Sequence, residues 1–191
     1  GITNKGKVFT WGWNDKNQCG LQGFNSTQKP RLLETLKEKF IVQVVCGDDH
    51  SLALGSDSKV YAFGDNSKGQ LGQGHYKETP SVEQVNLPKA RQVAAVGSQC
   101  MAVTQENELY LWPFETIHGE RRSYPMKMLN DNSVSQVSMG YNFAMILCSS
   151  GLVYSVGSSN SHGQLGQGDT ACYNSPTLIS CLKNEKEKIT S

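Results

Sequence analysis

The sequence contains no run approaching the ~20 apolar residues that cross a bilayer, and its first residues carry no apolar signal region. Membrane insertion is therefore not expected. Residue 1 already falls inside a repeat, so a targeting segment further upstream stays open. Charge of one sign is missing as well, since 18 Lys and Arg face 17 Asp and Glu, for a formal net charge of +1. Avid binding of nucleic acid calls for a positive field that this balance does not supply. Nor is there a Cys-x-x-Cys pair or any other metal-ligand spacing among the six cysteines at 19, 46, 100, 148, 172 and 181. Cys46, Cys100 and Cys148 recur near one phase in apolar surroundings. That suits small buried thiols in a reducing, intracellular compartment better than a disulfide frame. A convincing amphipathic helix is also missing. Residues 32–40 have some helical character but are short and poorly capped.

What the sequence does have is one stretch used repeatedly. Val60-Tyr61-Ala62-Phe63-Gly64 is a short apolar, β-prone run. Asp65-Asn66-Ser67-Lys68-Gly69-Gln70-Leu71-Gly72-Gln73-Gly74 comes next and cannot continue a strand, which predicts a tight wrapped loop. The design returns as Val8-Phe9-Thr10-Trp11-Gly12 with Gln18-Cys19-Gly20, and as Val153-Tyr154-Ser155-Val156-Gly157 with Gly163-Gln164-Leu165-Gly166. A weaker copy, Leu109-Tyr110-Leu111-Trp112-Pro113, has proline in the glycine position and lacks the loop. The markers at 12, 64, 113 and 157 are thus 52, 49 and 44 residues apart. Gly47, Gly97 and Gly140 keep the same step, as do Pro30, Pro80, Pro125 and Pro176. Three independent markers at one period near fifty signal a radial or stacked array.

Each period holds four strand-like segments. Ile41-Val42-Gln43-Val44-Val45-Cys46-Gly47 is nearly all apolar and reads as a strand buried on both faces. Asp48-Asp49 makes a turn into His50-Ser51-Leu52-Ala53-Leu54, and residues 60–63 supply the third strand. Residues 79–85, with Pro80 near their start, read as a short outer edge strand. Four antiparallel strands per period without a helix describe a propeller blade. The expected fold is all-β: a β-propeller of about three to four four-stranded antiparallel blades over residues 1–191, with both end blades incomplete. Gly1 to Trp11 would supply a third strand without its first two, and the strand-ending glycine after Pro176 falls due near position 193.

These repeats resemble those of the regulator of chromosome condensation family. Gly47-Asp48-Asp49-His50-Ser51, Val60-Tyr61-Ala62-Phe63-Gly64 and Asn66-Ser67-Lys68-Gly69-Gln70-Leu71-Gly72 match its pattern of Gly-x-x-His-Ser/Thr, Val-Tyr-x-Trp-Gly and Asn-x-x-Gly-Gln-Leu-Gly. The resemblance covers essentially the whole chain and implies a seven-bladed propeller, of which this is about half. Members include an exchange factor for a nuclear small GTPase, a plant ultraviolet photoreceptor, ubiquitin ligases, kinases, and proteins of cilia and centrosomes. Function must therefore be argued from a site.

His50, beside Asp48, Asp49 and Ser51, admits a nucleophile and base reading. Counting from the marker glycines puts Cys100 and Phe143 at the same position, which points to packing instead. No catalytic residue is expected. The loop from Gly69 to Gly74 lacks the Gly-Lys-Ser/Thr ending and following helix of a phosphate loop, and Asp65-x-Ser67-x-Gly69 lacks the late Glu of a calcium loop. No cofactor or metal is implied. Tryptophans at 11, 13 and 112 are too few for the photoreceptor's cluster, and Gly12-Trp13-Asn14-Asp15-Lys16 stands where its Gly-Trp-Arg-His-Thr would.

The third unit departs most. Between Pro113 and Tyr124 it replaces the loop with aromatics and two arginines, residue types favoured at interface anchors. Phe114, His118, Arg121, Arg122 and Tyr124 are the candidate partner contacts. The reading is a non-catalytic propeller scaffold or protein-interaction module inside a larger assembly. Its partners would be other proteins, including the remaining blades, in a cytoplasmic or cytoskeletal setting, with the cilium and the nucleus both open. The alternative, by resemblance, is guanine nucleotide exchange on a small GTPase through an inserted wedge, for which no clear insertion is present.

Overall fold

The computed structural model describes residues 1–115, 121–129 and 133–183. β1 (Phe9–Trp13) and β2 (Ser26–Leu32) pair antiparallel in the first sheet. β3 (Ile41–Cys46), β4 (His50–Gly55), β5 (Val60–Gly64) and β6 (Glu83–Gln84) lie side by side in that order in the second. β7 (Ala90–Val96), β8 (Gln99–Thr104) and β9 (Leu109–Trp112) begin the third. Two short strands, β10 (Phe114–Glu115) and β11 (Arg121–Arg122), pair apart from it before β12 (Met126–Met128) returns to complete it against β9. β13 (Val134–Gly140), β14 (Phe143–Cys148), β15 (Val153–Gly157) and β16 (Tyr173–Leu178) make the fourth. The fold is all-β, with sequential antiparallel sheets as the repeat predicts.

An apolar cluster fills the joint between each pair of neighbouring sheets. Cys19, Leu21 and Leu33 meet Ile41 and Phe63 at the first joint. Leu52, Leu71 and Val93 meet Cys100 and Trp112 at the second. Leu109, Leu111, Val137, Ala144, Ile146 and Val156 occupy the third. The core is therefore several small cores in series, in each of which a fully buried large side chain contributes roughly 2 kcal/mol.

Side-chain amides stitch the joints. The first strands of the second, third and fourth sheets bulge at one place, which brings Gln43, Gln92 and Gln136 to equivalent positions. Gln43 donates to the Val93 carbonyl at 2.9 Å and accepts from the Val93 N–H at 3.0 Å, replacing a missing strand with one amide. Gln92 donates to the Val137 carbonyl at 3.3 Å.

The glycine-rich loops are built alike. Asn66 is fully buried; its Nδ2 donates to the carbonyls of His75 and Lys77, and its Oδ1 accepts from the Leu71 N–H. Asn14 and Asn160 repeat this with Cys19 and Leu165. Gln70 adds a second brace, accepting from the Lys68 N–H and donating to Asp65. The closed loop presses Leu71 into the second joint, where it is fully buried.

Two expectations need correction. β3 is not buried on both faces: Val42 is 52% exposed and Cys46 is exposed, whereas every residue of β4 and β5 is buried. The reason is position, because β3 lies at the sheet edge with one strand partner while β4 and β5 have two. Residues 79–85 contribute only the two-residue β6. The weak helical signal at 32–40 is a 3₁₀ turn, Glu34–Leu36, entered from extended Leu33, and Ser180–Leu182 repeats it after Ile179.

The loop architecture sets one expectation. Asn66→Ala strips partners from buried groups that cost ~1–3 kcal/mol each when unpaired. Urea unfolding should register a loss of about 3 kcal/mol, while Asn25→Ala at an exposed position stays within about 0.5 kcal/mol.

Candidate functional site

The third unit breaks the loop pattern. β9 ends at Trp112, the chain passes through Pro113, and β10 pairs with β11 so that Phe114 is in register with Arg122 and Glu115 with Arg121. From β11 the chain forms a strap over the second unit's loop. Tyr76 donates its hydroxyl to the Arg121 carbonyl at 3.0 Å, and Gly74 donates its N–H to the Ser123 carbonyl at 2.9 Å. Ser123 is buried against Gly69, whose φ is +90°; a Cβ there would sit 2.5 Å from Ser123 Cβ. Arg122 Nη1 lies 3.4 Å from the Tyr124 hydroxyl, which accepts, and the Tyr124 ring is 43% exposed. The structure thus brings Arg121, Arg122 and Tyr124 together at the surface on an anchored backbone. Phe114 joins them through strand pairing, and His118 lies outside the described residues.

His50 is a packing group. It is 1% exposed, with Nε2 2.9 Å from Cys100 Sγ, and the Cys100 thiol in turn points to the Gln70 carbonyl at 3.4 Å. A chain running from Nε2–H to sulfur and from S–H to the carbonyl uses each donor once and leaves Nδ1 without a partner. Burial lowers the His50 pKa to about 4, against the opposing pull of Asp48 and Asp65. Burial also pushes the Cys100 thiol well above its usual value. Both groups stay neutral near pH 7, with no route to solvent for acid-base chemistry. Among the described residues no group of His, Cys, Asp and Glu could hold a metal ion.

The sequence model described as Regulator of chromosome condensation (RCC1) repeat matches residues 5–54, 57–103 and 150–191, and a second RCC1 repeat model matches 41–70 and 134–164. The chain belongs to the RCC1 repeat family. The E3 ubiquitin-protein ligase HERC2 of Homo sapiens is 29% identical over 97% of this chain, which corresponds to 4% of the ligase. The protein RCC2 homolog of Danio rerio is 39% identical over 57% of this chain and 23% of its own length. Among solved structures, human WBSCR16 superposes with a TM-score of 0.82 at 23% identity, covering 93% of this chain and 49% of its own. Prp20p of Saccharomyces cerevisiae does so at 0.77 and 22%, covering 93% and 47%. These likenesses make the four sheets blades of an RCC1-type β-propeller. The chain spans about half of each solved structure and a smaller share of the two relatives.

Strand register revises one RCC1 equivalence. His50 pairs with Gly64 and Phe143 with Gly157, but Cys100 pairs with Trp112. In the third blade Val96 and Gln99 flank the turn, so Gln99 is the counterpart of His50 and Phe143, and Cys100 that of Ser51 and Ala144. The glycine count slipped because Gly97 lies within this turn, whereas Gly47 and Gly140 precede theirs. Ser51 and Cys100 share a task that sequence reading missed. Ser51 donates to the Gln18 carbonyl at 2.9 Å, and Cys100, with Trp112 Nε1 at 2.9 Å, to the Gln70 carbonyl. Each takes hold of the loop of the preceding blade. Recurrence of Gln-x-Gly with a small polar residue after the His-phase position is the signal that could have found it.

The neutral His50 gives the fold a pH dependence. The folded state resists protonation down to about pH 4, whereas the unfolded chain binds the proton near pH 6.5. Stability is therefore fully present above pH 6.5 and falls as the pH drops toward 4, by up to about 3 kcal/mol. Urea unfolding at stepped pH should show this decline, and His50→Phe, the residue type at position 143, should flatten it.

Proposed function

We propose that this RCC1-repeat chain is a non-catalytic protein-interaction module within a larger protein or assembly, and that the strap at residues 121–124 with β10 is a partner contact. The observation that carries the reading is the strap's anchorage. Arg121, Arg122 and Tyr124 are offered on backbone already held by Tyr76, Gly74 and Gly69, so little ordering cost remains to be met on binding. Phe114 and His118 belong to the same replaced loop and extend the contact. Arg and Tyr are the side chains from which interfaces draw their anchors.

The remaining blades of a propeller are a second class of partner. Trp11 precedes Gly12 in β1 as Phe63 precedes Gly64 in β5, yet Phe63 is fully buried against the preceding blade and Trp11 is 52% exposed. Its ring is the seat for another blade. Six free thiols, three of them buried, suit a reducing intracellular compartment, cytoplasmic or cytoskeletal. No helix among the described residues is long and apolar enough to cross a membrane.

Exchange on a small GTPase is supported more thinly. Prp20p has binding properties to Gsp1p and histones, and these are properties of that protein. Affinity capture from cell extract with the wild-type chain and with Arg121→Glu/Arg122→Glu separates the readings. The double reversal should reduce recovery of at least one specific partner about tenfold at unchanged unfolding midpoint. Nucleotide release from a panel of small GTPases should not accelerate. Capture indifferent to the reversal removes the strap, and accelerated release moves the chain to the exchange class.

A further inference from the structure

Two thiols from facing blades meet at the first joint. Cys19 comes from the wrapped loop of the first blade, where it is 5% exposed and clusters with Val44, Ala53 and Phe63 of the second. Cys46 ends β3 on the second blade and is exposed. Alternate residues of a strand share a face, so Cys46 follows Val44 on the face turned to the first blade. Register agrees, since Val44 pairs with Ala53 and Cys46 with Ser51. Both sulfurs therefore belong to one seam, Cys19 inside it and Cys46 at its open rim.

Ser51 ties the two. Its hydroxyl donates at 2.9 Å to the carbonyl of Gln18, the residue before Cys19, and lies 3.7 Å from Cys46 Sγ. A hydroxyl has one proton to give, and turning it from the carbonyl to the sulfur stabilises the Cys46 thiolate, the form that reacts. Burial raises the Cys19 pKa, and the charge of Cys46 raises it further, so the two groups are near enough to act on each other. Cys19 keeps its proton, directed at the Trp11 and Trp13 carbonyls 3.3 Å from its sulfur. One thiol is open to reagents in solution and the other is shielded from them.

We infer that Cys46 and Cys19 form an oxidative modification site, at which a peroxide joins the first two blades through a reversible disulfide. The Cys46 thiolate attacks one peroxide oxygen, the O–O bond breaks, and the departing hydroxide takes up the proton that the thiol gave up. Water and the sulfenic acid of Cys46 result. The Cys19 sulfur then attacks the Cys46 sulfur, the S–O bond breaks, and a second water leaves with the Cys19 proton. Two thiols lose two electrons and two protons, and one hydrogen peroxide becomes two waters. Exposure assigns the roles: Cys46 meets the peroxide and Cys19 resolves. Disulfides of reducing compartments are of this transient kind. Neither cysteine lies on the strap, so the inference stands apart from the reading of the chain as an interaction module.

The test treats the whole reduced chain with an equimolar amount of hydrogen peroxide. Intact mass should fall by about 2 Da as two hydrogens leave, and peptide mapping should link Cys19 to Cys46. A dithiol reductant should reverse both changes. The exposed Cys172 and Cys181 should take no part in the link. Cys46→Ser should abolish it, and in Cys19→Ala a cyclic dione probe should trap Cys46 as the sulfenic acid. Unfolding midpoints show whether each variant is folded. Should Cys19→Ala fail to fold, Cys46→Ser and the wild-type map decide. A link through any other cysteine, a link between two chains, or oxygen added to Cys46 with no loss of mass overturns the proposal.

Discussion

A single buried carboxamide governs this architecture. Asn66, with Asn14 and Asn160 at the matching places, satisfies three backbone groups that a loop of glycine and polar residues could not pair for itself. Closing the loop fixes the direction of the next residues. Gln70 turns its carbonyl toward the following blade, and Leu71 drives its side chain into the joint. Local hydrogen bonding within one blade thus decides how that blade meets its neighbour. Antiparallel ladders make each blade, but they do not join blades.

The third blade does without that carboxamide. The segment that replaces the loop forms the β10–β11 ribbon, and the strap beyond it leans back on the second blade's loop through Gly69, Gly74 and Tyr76. The departure has consequences on two sides. Backward, it puts arginine and tyrosine on a firm base at the surface. Forward, among the described residues no wrapped-loop side chain enters the joint to the fourth blade, which Leu111, Met128, Ile146 and Val156 fill instead. Val156 and Ala144 stand where the second joint has Trp112 and Cys100, the pair that meets the Gln70 carbonyl there.

Much of the fold was legible because its punctuation is local. Val60-Tyr61-Ala62-Phe63-Gly64 and the loop after it announce strand end and wrap wherever they recur, and their spacing alone reveals the blades. Burial was less legible, because it depends on how many neighbours a strand has. Composition marks Ile41 to Cys46 as core, yet the edge position leaves Val42 exposed. Register was the other gap. A two-residue turn containing Gly97 moves Cys100 from the phase of His50 to that of Ser51, a slip only strand pairing reveals. At the candidate site, the arginines and aromatics signalled contact by type. Their anchorage on Tyr76, some 45 residues earlier, left no trace in the sequence.

The amide of Gln43 gives Val93 an unusual standing. The N–H of Val93 is held by a side chain from another blade, whereas a ladder proton is released when its own sheet frays. Its exchange with solvent deuterium therefore gauges the parting of two rigid bodies, and a single backbone position separates loosening at a seam from melting within a sheet.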